Sequence, residues 1–233
     1  MSDRPSSELR PVSMEIGFTE STPGSVLISM GKTRVLCTAT VEDEVPRWMR
    51  ESGKGWVTAE YAMLPGSSTS RIRRDHVSGG RAKEISRLIG RALRAVVDLG
   101  ACGEVMVRVD CDVIEADGGT RTAAITGAWV AMHQAFADAV ERGLAAANPI
   151  IDEVAAVSVG IVDGRAMLDL DYEADAAAEV DMNVVMSGRG LLVEVQGTAE
   201  GAPFTRDDLN EMLDLAASGI AELHDLQRRA VSD

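Results

Sequence analysis

The chain has 233 residues, of which 45% are apolar and only 3% aromatic, so aliphatic side chains, alanine and methionine must fill most of its core. Its formal net charge of −14 argues against a protein that coats nucleic acid nonspecifically. No apolar run approaches the roughly 20 residues of a membrane-spanning helix, and the polar start MSDRPSSELRPV lacks the apolar centre of a secretory signal. Three cysteines without a CxxC pair are typical of reduced thiols. We therefore expect a cytoplasmic protein with no membrane partner.

Hydrophobic periodicity predicts the elements of the first half in chain order. Alternating β-forming residues predict a hairpin over 24–42, which turns at Gly31-Lys32, and a strand over 55–64. Residues 66–80 lack periodicity and predict a basic loop. Apolar residues at helical spacing then predict an amphipathic helix over 81–99.

The second half continues with mixed elements. The pattern predicts a strand over 104–115, a largely buried helix over 122–143, hairpins over 154–172 and 179–199, and a long helix over 205–231. Strands and helices that come in blocks favour an α+β (two-layer α/β) fold over a strictly alternating parallel sheet. No linker divides the chain, so we predict a single domain over residues 1–233.

The basic residues are concentrated in one part of this acidic chain. Eight of the 23 lie between residues 71 and 94, where only Asp75 and Glu84 oppose them. Such a distribution predicts one local anionic partner.

The segment Gly118-Gly119-Thr120-Arg121 lies at a junction between a predicted strand and a predicted helix. The first N–H groups of a helix are unpaired and carry partial positive charge, and glycine lets a ligand approach the backbone closely. A hydroxyl and a planar guanidinium add further donors for phosphate. The alternative is a tight turn beside an exposed arginine, and spacing alone leaves both open because there is no GK[ST] sequence.

A second segment, Gly79-Gly80-Arg81, has the same design. A cation in the first turn of a helix opposes the helix dipole unless an anion lies nearby. Arg81 therefore predicts either a bound anion or an ordinary salt bridge with a carboxylate, and the sequence does not choose between them.

Carboxylates are dense in one later stretch, DLDYEADAAAEVD, at residues 169–181. A solvated acidic loop is the usual explanation for such density. Asp181, however, begins an apolar run, which indicates a place near the core. Two or three carboxylates beside a phosphate site would bind Mg²⁺ or transfer a proton.

These features together resemble the ribonuclease PH family. The similar stretches span residues 8 to about 206 in the family's order and include VPRW, GWVTAEYAMLP, GGRAKEISRLIGRALRAVVDL, DCDVIEADGGTRTAAITGAWVA, AEVDMNVVM and VEVQGTAEGAPF. The resemblance implies the ribonuclease PH fold, which is akin to the second domain of ribosomal protein S5. It also implies a phosphorolytic 3′-to-5′ exoribonuclease, which trims 3′ extensions of tRNA precursors with inorganic phosphate and releases nucleoside diphosphates. The reverse reaction adds nucleotides to the 3′ end.

The resemblance also implies roles for individual residues. Phosphate, the co-substrate, would be bound by Arg81, Gly119, Thr120 and Arg121. Asp175 and Asp181 match the family's catalytic and Mg²⁺-associated pair, with Asp175 expected as the acid and Asp181 at the metal.

Partners follow from the same resemblance. The basic residues expected to bind the tRNA acceptor stem are Arg71, Arg73 and Arg74. Family members form rings, so a homo-oligomer is expected, and a hexamer built as a trimer of dimers is the common form. The alternative function is a catalytically impaired ring subunit that binds RNA or scaffolds partners. A polynucleotide phosphorylase fragment is disfavoured, because no KH or S1-like extension follows the domain.

Overall fold

In the computed structural model, which describes residues 4–74 and 79–232, the chain forms an α+β fold of two sheets and four helices, as predicted. The strands are β1 Val12–Ile16, β2 Gly24–Met30, β3 Thr33–Glu42, β4 Trp56–Met63, β5 Met106–Glu115, β6 Val154–Val162, β7 Arg165–Leu168, β8 Val180–Ser187 and β9 Leu192–Ala199. The helices are α1 Gly80–Arg94, α2 Thr120–Glu141, α3 Tyr172–Ala177 and α4 Arg206–Ser232.

The two sheets differ in their strand directions. The first has the order β1-β2-β3-β5-β4, in which β4 runs parallel to β5 and the other neighbours are antiparallel. The second, β7-β6-β8-β9, is antiparallel throughout. A parallel pair needs a long crossover connection, and α1 lies within the connection from β4 to β5 and packs on β4. The parallel pairing brings the carboxyl ends of β4 and β5 to the same edge of the sheet.

Helix α2 lies between the two sheets and is buried on nearly all sides. It packs against β2 and β3 of the first sheet and β6 of the second. Gly127 permits a close approach, since a Cβ there would lie 2.8 Å from Ile28 Cγ2 and 2.9 Å from Cys37 Sγ. The central position of α2 fixes its first turn, at Thr120, beside the end of β5.

Helix α1 is amphipathic, as its sequence predicts, but it is shorter than predicted. It buries Ile85, Leu88 and Ile89 and ends at Arg94, so the predicted end at residue 99 is wrong. The next residues leave the helix because their backbone pairs elsewhere: Val97 bridges Ile150, and the Ile151 N–H donates to the Val96 carbonyl. Val96 and Val97 continue the helical spacing of apolar residues, so the sequence pattern alone could not show that the helix ends before them.

The other hairpins and the last helix lie close to their predicted positions, but the hairpin predicted over 154–172 ends at Leu168, where Asp169 leaves the strand with a φ of +54°. A 3-10 helix at Arg47–Met49, one short strand and one short α-helix were not predicted. Strand β1 pairs with β2 at the edge of the first sheet. The acidic stretch contains α3, whose first turn is capped by the Asp171 carboxylate accepting from the Ala174 N–H at 2.9 Å. This stretch is therefore ordered, not simply a solvated loop.

The described residues include no helix that is both long and apolar enough to cross a bilayer. The cysteines Cys37, Cys102 and Cys111 are buried and unpaired, in agreement with the expectation of free thiols.

Candidate active site

A cleft of about 590 Å³ opens where the first turns of α1 and α2 meet α3 and β8. It brings together all the residues for which a phosphate-binding or catalytic role is predicted: Arg81, Gly119, Thr120, Arg121, Asp175 and Asp181. The sheet topology explains why α1 and α2 begin at the same cleft. The loops that lead to them leave the carboxyl ends of β4 and β5 side by side, with Met63 paired to Val113.

The starts of α1 and α2 are built alike. A glycine occupies each N-cap, Gly79 in α1 and Gly119 in α2, and therefore supplies no capping side chain. Neither first turn contains an acidic residue, and the second residue of each helix is an arginine, Arg81 or Arg121. The first turn of α2 and the guanidinium groups of Arg81 and Arg121 thus line one side of the cleft and form a positive corner suited to an anion.

Arg121 is only loosely held within the protein. Its Nη1 donates to Gln196 Oε1 at 3.2 Å and lies 3.9 Å from Glu84 Oε1. The nearby Glu194 carboxylate is already engaged by two bonds from Arg91, at 2.7 and 3.0 Å. The arginine is positioned at the cleft by long contacts that a bound anion could replace.

Sequence reasoning missed Tyr61, which lies behind the cleft. Its hydroxyl is 2.8 Å from Thr120 Oγ1, and the residue is only 4% exposed. Burial raises the pKa of the Tyr61 phenol, although the hydrogen bond to Thr120 and the charges of Arg81 and Arg121 act in the opposite direction. The phenol therefore stays protonated and can donate to Thr120.

The two carboxylates of the cleft come from different elements, Asp175 from α3 and Asp181 from β8. Burial raises the pKa of Asp175, while the charges of Arg81 and Arg121 lower it. Burial also raises the pKa of Asp181, and the charge of Asp175 raises it further, against the effect of Arg121. A carboxyl group with a raised pKa is a better proton donor near neutral pH.

The carboxylates fit Mg²⁺ as a partial ligand set. Within residues 4–74 and 79–232, no group of three or more His, Cys, Asp or Glu side chains is placed to hold a metal. Mg²⁺ commonly keeps several waters and binds through one or two carboxylates plus substrate phosphates. Asp175 and Asp181 line the same cleft and have the oxygen atoms that such a site would use.

Other lining residues were also missed. Asn183 lies two residues after Asp181 on β8, so strand periodicity places both on one face of the sheet and could have identified it. Tyr172, at the start of α3, lines the cleft and is 61% exposed. No sequence signal distinguished Tyr172 from its acidic neighbours, because α3 itself was not predicted.

The basic loop starts at the rim of the cleft. Ser68 lines the cleft, and the Ala116 N–H donates to the Ser67 carbonyl at 2.7 Å, which ties the start of the loop to the end of β5. Arg71, Arg73 and Arg74 follow and are exposed. Residues 75–78 of the predicted loop lie outside the described residues.

The chain is similar to known proteins over nearly its whole length. Models of the 3′ exoribonuclease family match the chain over residues 8–137 (domain 1) and 152–219 (domain 2). Proteins named ribonuclease PH from Methylobacterium radiotolerans and Brucella ovis are 56% and 52% identical to it, with 99% of each chain covered.

Solved structures share the fold at lower sequence identity. Rice Rrp46 is 17% identical with a TM-score of 0.79, and 98% of each chain is covered. A chain of the Archaeoglobus fulgidus exosome with RNA bound to the active site is 20% identical with a TM-score of 0.81, covering 95% of this chain and 90% of that one. On the matches to both family domains and the near full-length relatives, the chain belongs to the 3′ exoribonuclease family.

Proposed function

We propose that Arg81, Gly119, Thr120 and Arg121 bind inorganic phosphate and direct it at the terminal phosphodiester of an RNA 3′ end. Membership of the family, with full-length relatives named ribonuclease PH, makes the chain a phosphorolytic 3′-to-5′ exoribonuclease. Phosphate is its co-substrate and a nucleoside diphosphate its product; the reverse reaction adds a nucleotide. One observation carries the assignment of residues: two arginine-bearing helix starts and two carboxylates line the same cleft.

The positive corner stabilises the negative charge that this reaction brings together. Phosphate attack on a phosphodiester brings two anions together and places further charge on the equatorial oxygens of the transition state. The first backbone N–H groups of α2 are fixed by the helix and face this charge with little reorganisation, and the guanidinium groups of Arg81 and Arg121 line the same cleft. The Thr120 hydroxyl, held by Tyr61, adds a donor.

Asp175 and Asp181 have different roles in this proposal. Asp175 protonates the leaving 3′-oxygen, a role that its raised pKa favours. Asp181, in its ionised form, would supply an oxygen ligand to Mg²⁺, and Asp175 would supply a second one after it has given up its proton. When bound, Mg²⁺ would offset the negative charge of the phosphates.

The exposed Arg71, Arg73 and Arg74 are our candidates for the contact with the tRNA acceptor stem. Contacts to backbone phosphates suit a substrate that is recognised by its shape. We further propose a cytoplasmic ring-shaped homo-oligomer, a hexamer of three dimers. Sedimentation or light scattering would test it, and a monomeric mass would count against the ring.

The reaction itself is tested with a tRNA that carries extra 3′ nucleotides. Purified protein, Mg²⁺ and phosphate should release nucleoside diphosphates, and sulfate in place of phosphate should release none. RNA binding without diphosphate release would instead support the alternative, a catalytically impaired ring subunit.

A further inference from the structure

We propose that Thr33, Arg10 and Asp169 are positioning residues, which hold the peptide groups of Asp117 and Gly118 so that the phosphate site presents N–H groups to its ligand. The inference rests on the proposed function, because it concerns how the same cleft holds phosphate. None of the three is among the residues expected to touch phosphate or RNA.

Thr33 lies at the start of β3 and is completely buried. Its hydroxyl donates to the Gly118 carbonyl at 2.6 Å and accepts from the Asp117 N–H at 2.8 Å. One side chain therefore holds both a carbonyl and an N–H of the segment that leads into α2, from a position 85 residues earlier in the chain.

Arg10 contacts the carbonyl groups of the same two residues, Asp117 and Gly118. Its Nη1 donates to the Asp117 carbonyl, and its Nη2 lies 3.4 Å from the Gly118 carbonyl. The guanidinium is in turn fixed by Asp169 through Nε–Oδ2 and Nη2–Oδ1 bonds of 2.9 and 2.7 Å. The Arg10 backbone N–H also donates to Asp169 Oδ2, at 2.9 Å.

Arg10 and Asp169 form an ion pair with no net charge, which bears on whether Arg10 could bind phosphate itself. Arg10 is 6% exposed and Asp169 is completely buried, so the charge of Arg10 is neutralised at short range and is not presented to the cleft. A buried ion pair with two parallel hydrogen bonds has little freedom to move. The carbonyl groups bonded to its guanidinium are therefore restrained as well. We conclude that Arg10 orients the loop and does not itself bind phosphate.

Orientation of these carbonyls decides what the anion meets. The Asp117 carbonyl points to Arg10, and the Gly118 carbonyl points to Thr33 and Arg10. The negative ends of both carbonyl groups are therefore held by donors and do not turn toward a ligand at Gly119. A flipped peptide at this place would put an oxygen near the phosphate and remove an N–H from it. Catalytic anion sites depend on such preorganised dipoles.

Asp169 also connects residues 117–121, the phosphate loop, to α3, the helix that carries Asp175. A Cβ on Gly118 would lie 2.5 Å from the Leu170 carbonyl oxygen, so the loop packs directly on the chain that follows Asp169. Two residues after Asp169, Asp171 caps α3. The same buried pair thus sets the position of the phosphate loop relative to Asp175.

The test separates positioning from simple stability. Thr33→Val keeps the shape of the side chain and removes the hydroxyl, whereas Thr33→Ser keeps the hydroxyl. Thr126→Val is the matched control, because the buried Thr126 hydroxyl also bonds backbone groups on both sides. It donates to the Thr122 carbonyl at 3.0 Å, lies 3.4 Å from the Ala156 carbonyl and accepts from the Ala156 N–H at 3.1 Å. For each variant, the KM for phosphate, the KM for RNA, the Tm and the Kd for inorganic phosphate by calorimetry are measured.

We expect Thr33→Val to raise the KM and the Kd for phosphate by about tenfold or more, the loss of roughly one well-placed donor. The KM for RNA should stay within about twofold, and Thr33→Ser should restore phosphate binding. Thr126→Val should lower the Tm comparably while leaving phosphate binding within about twofold of the original protein. If Thr33→Val does not fold, Arg10→Lys, which keeps the charge and loses the two-pronged geometry, should weaken phosphate binding in the same way.

The inference is overturned if Thr33→Val and Arg10→Lys leave the phosphate KM and Kd unchanged, or if Thr126→Val raises them equally. Failure of the proposed function would give a different set of results from failure of this inference. The original protein would bind phosphate, and Thr33→Val would weaken that binding, yet no nucleoside diphosphate would be released from RNA. Absence of phosphate binding by the original protein would overturn both.

Discussion

The hydroxyl groups of Tyr61 and Thr120 lie 2.8 Å apart, so a strand of the first sheet holds the first residue of α2. Burial keeps Tyr61 protonated by raising its pKa. When the phenol donates, the Thr120 oxygen is occupied as an acceptor, and its own hydrogen is free to point at an anion. This one bond links the core of the protein to the proposed phosphate site.

Replacing this phenol should weaken phosphate binding selectively. Tyr61→Phe should raise the phosphate KM by about fivefold, equivalent to one hydrogen bond of roughly 1 kcal/mol, with little change in kcat. Initial rates at varied phosphate and saturating RNA measure this. An unchanged phosphate KM would show that Thr120 does not need its partner.

Loss of Arg121 should remove catalysis while RNA binding persists. Arg121→Ala is expected to lower phosphorolysis by about a hundredfold or more, the usual loss for one preorganised donor at a developing charge. Arg142→Ala is the control at the other end of α2, where Arg142 pairs with Asp138 on the surface. Rates come from diphosphate release and affinities from filter binding; an equal loss of both for Arg121→Ala would contradict a dedicated phosphate role.

The pKa of Asp181 should depend on Asp175. Burial raises it first and the Asp175 charge second, so Asp175→Asn should lower the pKa of Asp181 toward the ordinary value while leaving it raised by burial. In this variant Asp181 therefore stays ionised down to a lower pH. Carbon-13 NMR titration of the carboxyl groups measures the shift, with Asp214→Asn on the exposed side of α4 as the control. A higher Asp181 pKa in Asp175→Asn would refute the coupling.

The basic loop should contribute to the salt dependence of RNA binding. Arg71→Ala with Arg74→Ala should weaken tRNA binding and reduce the slope of log K against log salt by roughly one to two, as expected for two lost phosphate contacts. The control replaces Arg228 and Arg229, near the end of α4, with alanine. If the slope is the same in both double variants, the loop is not the RNA contact.

Gly118 should not tolerate a side chain. Its φ of +76° and the 2.5 Å approach of a built Cβ to the Leu170 carbonyl predict that Gly118→Ala destabilises the fold by about 2 kcal/mol or more. Gly66→Ala is the matched control, because a Cβ there meets nothing within 4 Å. Urea unfolding measures both, and comparable stabilities would show that the loop relaxes at little cost.

Local pattern was sufficient for much of the fold and for the parts of the site. The alternating pattern of the strands, the buried helix α2 and the two glycine–arginine segments, 79–81 and 118–121, could be predicted because each depends on residues close in sequence. The same reasoning missed α3 and extended α1 past Arg94, since a short acidic helix and two buried valines give no distinct periodic signal.

Sequence by itself determined which segments can hold an anion: a glycine-capped helix start with an arginine in its first turn has the necessary donors wherever it lies. Only the tertiary structure decided that the two segments share one cleft. The parallel pairing of β4 and β5 does this, because it places the carboxyl ends of both strands at one sheet edge. Nor could sequence reveal the bond between Arg10 and Asp169, 159 residues apart, because isolated charges are ordinarily solvated and only the packing of the core withdraws this pair from water.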